Sequence, residues 1–168
     1  MHSREMILLA QESKDKRSNY RYESLVGTRK VLDVFFDLLD TSLSSFVMTT
    51  SYFGSKWTDD PDLRDDYYHR LEKSLSMATE RGALVRVVGT EFPQTIDIVK
   101  KIKSLNVQTK RMNHGFLRFA ISDRQKVLLL SSERYTQDLY FYRGVFTNIP
   151  DFAALFVKHF EELWKFAD

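Results

Sequence analysis

Arg118 sits where an arginine is hardest to place. It interrupts Phe116-Leu117-Arg118-Phe119-Ala120-Ile121-Ser122-Asp123, an apolar run closed by a carboxylate. A second run, Leu128-Leu129-Leu130-Ser131-Ser132, follows after a short polar break. The pair reads as strand, tight turn at Asp123-Arg124-Gln125, strand. Alternation sends Leu117, Phe119 and Ile121 to one face, expected to be core. It sends Phe116, Arg118, Ala120 and Ser122 to the other, where Phe116 and Arg118 are expected to face a polar crevice. A guanidinium inside such a strand needs a carboxylate, a ligand anion or solvent. Arg118 is therefore either a cation facing a ligand, or an arginine that is exposed or paired with Asp123 or another acid. Open α/β sheets place ligands beyond the carboxyl ends of their strands. Thr49, Ser51, Arg118 and Ser132 are accordingly candidate ligand-binding residues; Phe116, Asp123 and Ser131, in the same two runs, are counted with them.

Other chemistry-bearing residues carry less. His114 precedes Gly115 in what reads as an exposed loop. The four histidines, His2, His69, His114 and His159, lack metal-ligand spacing, and no metal site is expected. Asp59, Asp60, Asp62, Asp65 and Asp66 lack the glycine and distant glutamate of a calcium loop and read as helix N-terminal charge. Lys100, Lys101, Lys103, Lys110 and Arg111 form a modest basic patch without interleaved aromatics. No glycine-rich phosphate loop, nucleophile elbow or dinucleotide fingerprint is present, so no cofactor is expected.

The elements that must position these residues alternate. Residues 1–21 read as an N-terminal extension or linker helix, and 22–168 as one domain. Apolar spacing predicts helices over 23–41, 62–81, about 93–104 and from Pro150 onward. Strands are expected over 45–51, 83–89, 106–112, 115–122, 126–132 and 138–146. Gly82 stands where a helix C′ glycine belongs. The expected class is α/β: a mixed, mainly parallel sheet with helices on both faces.

Composition agrees with a folded domain. The chain has 168 residues, 43% of them hydrophobic, with thirteen Phe, eight Tyr and no Cys. Disulfides and thiolate metal sites are thereby excluded. A net charge of +2 makes no case for nucleic acid from totals alone. No apolar run reaches the roughly 18 residues of a membrane span, and a cytoplasmic location without membrane contact is expected.

The segment ending at Asp123 resembles the phospholipase D catalytic motif His-x-Lys-x-x-x-x-Asp, followed by a strand ending in small residues. With Asp123 on the family aspartate, Phe116 falls on the nucleophilic histidine and Arg118 on the lysine, while Ser131 and Ser132 lie near the small-residue position. A phenyl ring cannot attack phosphorus. The resemblance thus implies a phospholipase D-like fold whose hydrolase chemistry is lost. The unit Ala78-Thr79-Glu80-Arg81-Gly82 with Val85-Arg86-Val87-Val88, and the ending Phe160-Glu161-Glu162-Leu163-Trp164, is similar to the effector domain of archaeal TrmB-type transcriptional regulators. That resemblance implies a non-catalytic sensor or dimerisation domain, a homodimer, a possible small-molecule effector, and DNA contact only through a winged helix absent from this chain. Two other readings stay open: a phospholipase D-type phosphodiesterase or nuclease using His114, and a nucleic-acid-binding module using the basic patch.

Overall fold

The computed structural model describes residues 19–50, 60–90, 96–113, 117–134 and 140–168. Four helices are described: α1 (Thr28–Thr41), α2 (Pro61–Glu80), α3 (Ile96–Ser104) and α4 (Pro150–Phe166). The strands are β1 (Tyr22–Val26), β2 (Ser45–Thr50), β3 (Leu84–Gly89), β4 (Gln108–Arg111), β5 (Arg118–Ser122), β6 (Lys126–Arg134) and β7 (Tyr140–Thr147). They form one seven-stranded sheet in the order β1-β7-β6-β5-β2-β3-β4.

The sheet is mixed, as expected, but less parallel than expected. Only β2–β3 and β3–β4 pair in parallel, through crossovers that carry α2 and α3. The pairs β2–β5, β5–β6, β6–β7 and β7–β1 are antiparallel. The neighbours β5, β6 and β7 follow one another through short connections, which allow antiparallel pairing, whereas each parallel pair needs a long crossover.

The expected helix over 23–41 is two elements. Tyr22–Val26 is an edge strand on β7, and the helix starts only at Thr28. Helical spacing from Leu25 suggested continuity, but Gly27 at φ +109° breaks it. Its N–H donates to the Tyr142 carbonyl, and Tyr142 N–H donates to the Thr28 hydroxyl, so β7 holds the break from both sides. Gly82 behaves as anticipated. At φ +90° it closes α2 in a Schellman motif, with Gly82 N–H to Thr79 and Ala83 N–H to Ala78.

Helices cover both faces. One core joins Phe46, Met48, Val85, Val87, Ala120 and Leu128 to Phe35, Phe36 and Leu39 of α1 and Leu71, Leu75 and Ala78 of α2. The other joins Val47, Val88, Phe119, Ile121 and Val127 to Ala153, Val157 and Phe160 of α4. Phe119 and Phe160 are fully buried and meet edge to face at 6.4 Å, each burial being worth about 2–3 kcal/mol. The face that carries Arg118 is core at Ala120 and Ser122, because α1 covers it there. Leu117, expected in the core, is 54% exposed, since it precedes β5 and leaves the covered part of the sheet. Most of the expected N-terminal extension lies outside the described residues.

Candidate functional site

β2 and β5 run in opposite directions, so the carboxyl end of β2 adjoins the amino end of β5 and the far part of β6. Thr49, Arg118, Ser131 and Ser132 thus collect at one end of the sheet, as the sequence suggested. The sheet itself then divides them. Arg118 shares the face of Ala120 under α1, while Thr49 lies on the face of Val47 under α4.

Thr49 is buried and its hydroxyl is fully used. It donates to the Leu117 carbonyl and accepts from Phe119 N–H at 3.0 Å, extending the β2–β5 pairing past its last backbone pair at Met48. It fastens the two strands together. Arg118 is half-buried. It donates to the Ser132 hydroxyl at 2.6 Å and lies over the Tyr142 ring at 6.0 Å. Among the described residues a hydroxyl and an aromatic face receive it, and the rest of the side chain keeps some contact with solvent. Ser131 lies opposite Arg143 and is exposed. Ser51, Phe116 and His114 lie outside the described residues.

Asp123 does not join this group. It follows the carboxyl end of β5, about 16 Å of strand from Arg118. Its carboxylate accepts N–H groups from Leu43 at 3.0 Å, Ser44 at 2.7 Å and Ser45 at 3.0 Å, and the Ser44 hydroxyl at 2.9 Å. Partial burial pushes its carboxyl up, but the bonds from Ser45, Ser44 and Leu43 outweigh that and hold it below the usual carboxylate range. Asp123 is a clamp joining the β5–β6 turn to the loop between α1 and β2. It and Arg124 carry positive φ, 51° and 59°, and Gln125 N–H closes the turn onto Ser122.

Two arginines escaped notice as working residues. Arg81 of the Arg-Gly unit donates to the Leu39 and Ser42 carbonyls, capping the carboxyl end of α1. Arg86 forms a two-pronged pair with Glu161 and lies over the Phe160 and Trp164 rings at 5.1 and 5.3 Å. A hydrogen bond and the charge of Arg86 hold the Glu161 carboxyl low, against partial burial. The signal for Arg86 was its place inside Val-Arg-Val-Val, the same anomaly that marked Arg118.

The other clusters resolve as structure. Asp60 caps α2, accepting from Asp62 and Leu63 N–H. In the basic patch, Lys101 pairs with Glu72, and Lys110 donates to the Trp164 and Ala167 carbonyls at the end of α4. Arg111 exchanges backbone hydrogen bonds with Asp168. No described helix is long and apolar enough to cross a membrane.

A mixed seven-stranded sheet between helical layers, with the Arg118 hairpin at its centre, defines a phospholipase D-like α/β fold. Solved structures share it at low identity. Nuc, a phospholipase D family member from Salmonella typhimurium, is 17% identical with a TM-score of 0.68, over 89% of this chain and 97% of that one. NucT from Helicobacter pylori is 12% identical with a TM-score of 0.66, over 89% and 98%. TrmBL2, an archaeal chromatin protein with a novel mode of DNA binding, is 15% identical with a TM-score of 0.61, over 98% of this chain and 66% of that one. No protein-family model matches the chain, and no curated protein matches it in sequence.

Proposed function

We propose that this chain is a non-catalytic effector domain of a transcriptional regulator, a sensor or dimerisation module on a phospholipase D-like fold. The observation that carries the reading is the missing catalytic pair. None of the four histidines has a lysine two positions on, and the segment aligned with the motif reads Phe116-x-Arg118. The guanidinium of Arg118 is spent on Ser132 and Tyr142, and the carboxylate of Asp123 on backbone N–H groups. A hydrolase of this type needs a nucleophile and a general acid within about 3 Å of the reacting oxygens. The likeness of nearly the whole chain to part of TrmBL2, an archaeal chromatin protein, supports a place beside DNA; the proposal puts the DNA contact outside this domain. A cytoplasmic homodimer with a small-molecule effector belongs to the same proposal.

The fold shared with Nuc supports the competing reading, a phosphodiesterase that uses His114. Incubation with bis(p-nitrophenyl) phosphate separates the two. The effector reading expects no turnover above background. Turnover abolished by His114→Ala would overturn it.

A further inference from the structure

The opposite end of the sheet from Arg118 holds a cavity of about 740 Å³. Its walls come from the β5–β6 turn (Arg124, Gln125, Lys126), the first half of α4 (Pro150, Ala154, Val157, Lys158, Glu161), and Asn19, Tyr20 and Asn148. The volume lies in the range of small-ligand sites, roughly 300–1,000 Å³.

Charge is concentrated there. The chain has 25 basic and 23 acidic residues; setting aside Arg124, Lys126, Lys158 and Glu161 leaves 22 of each. The lining thus holds three bases and one acid, a local net charge of +2. Glu161 is occupied by Arg86, with Arg124 acting on it only as a nearby charge. Among the described residues, Arg124, Lys126 and Lys158 take part in no salt bridge, although Arg21, Lys30, Arg86 and Lys101 do.

The turn is also held in place. The four hydrogen bonds to Asp123 fix the turn that carries Arg124. Arg124 holds φ 59°, a conformation glycine or asparagine would adopt more easily, so the turn is not built for lowest local energy. Across the cavity, the Asn148 amide accepts from Arg21 N–H and donates to the Asn19 carbonyl, tying Asn19 and Tyr20 into the wall. Tyr20, Pro150, Ala154 and Val157 supply apolar surface beside the cations.

We propose that this cavity binds a phosphomonoester with a planar or apolar body, such as a nucleoside monophosphate. The phosphate is matched by the guanidinium fork of Arg124 and the ammonium groups of Lys126 and Lys158. The body lies against Tyr20, Ala154 and Val157. This site is separate from the Arg118 end and holds whether or not the domain serves a regulator. A cavity with walls on three sides favours a small molecule over a nucleic-acid duplex, which would meet the cations only from outside.

Isothermal titration with adenosine monophosphate and with inorganic phosphate tests the site. Saturable binding of adenosine monophosphate is expected, about tenfold or more tighter than inorganic phosphate because the body contributes. Arg124→Gly is the decisive variant, since it removes the whole cationic side chain while glycine suits the φ of the turn. It and Lys158→Gln should each weaken binding about tenfold, while Lys100→Gln on α3 should leave it unchanged. Thermal melting of Arg124→Gly at or above the wild-type temperature excludes misfolding as the cause. Absence of saturable binding, or binding indifferent to both cavity variants, overturns the proposal. So does binding confined to a DNA duplex and lost steeply between about 50 and 200 mM salt.

Discussion

Replacing Asp123 tests whether the acidic residue of the motif-like segment serves stability. Its carboxylate accepts four donors from one loop, with Oδ1 taking most of the load. Hydrogen bonds to a charged acceptor are worth about 1.5–3 kcal/mol each when buried. Asp123 is only half-buried, so water recovers part of each bond, and the four are not additive. Asp123→Asn keeps one acceptor oxygen and tolerates φ 51°, so it should cost about 1–2 kcal/mol. Asp123→Ala loses every bond and adds the left-handed backbone penalty, giving about 3–4 kcal/mol. The pH sign follows from the lowered carboxyl. Its contribution is complete above the unfolded value near 3.9 and is lost as pH falls through the lower folded value. The gap between wild type and Asp123→Asn should therefore be full at neutral pH and close in acid below about pH 4. Urea unfolding followed by tryptophan fluorescence measures both. An asparagine variant within about 0.5 kcal/mol of wild type at neutral pH, or a gap that persists in acid, would refute the clamp.

Gly144→Ala should lower stability by about 1–3 kcal/mol, because the added Cβ would lie 3.0 Å from the Leu129 carbonyl oxygen and 3.2 Å from Leu128 Cδ1; a thermal melt unchanged from wild type would contradict that packing. Glu161→Gln strips the partner from an arginine side chain only 15% exposed, and should cost more than Arg86→Met, which leaves the half-exposed Glu161 to water. Denaturation midpoints of the two variants give the order, and its reversal would discount the pair. Joint replacement Phe116→His and Arg118→Lys should leave the protein without phosphodiesterase turnover, since one restored motif copy lacks a paired acid; robust turnover would show that an otherwise complete site survives.

Periodicity made most of the elements legible. The parallel crossovers, the hairpin after Ile121 and the Schellman close at Gly82 all follow from local spacing and turn residues. Tyr22–Val26 did not, because five residues with one buried leucine fit either period, and only pairing with β7 decides between them. The candidate site was legible in part for a similar reason. Strand ends could be counted, so Thr49, Arg118 and Ser132 were placed at one end correctly. Which face each would occupy, and which side chains were already spent on backbone groups, depends on register with strands far away in sequence. Asp123 shows the limit most clearly: its donors are Leu43, Ser44 and Ser45, about eighty positions earlier, and no local pattern announces them.

The position of β1 has a consequence for how the chain assembles. It is the first described strand, yet its only strand partner is β7, the last; the Arg21 N–H bond to the Asn148 side chain spans 127 positions. During synthesis, which runs from the amino end, this strand is made more than a hundred residues before β7 and cannot pair until β7 follows. Leu25, which ends fully buried, spends that interval in water or in borrowed contacts. Closing so long a loop costs entropy that the contacts of β1 with α1 offset only in part, so β1 should be among the last strands to pair. The parallel strands and their crossover helices can consolidate first, and the completed edge then acts as a latch that shuts only once α4 is being made.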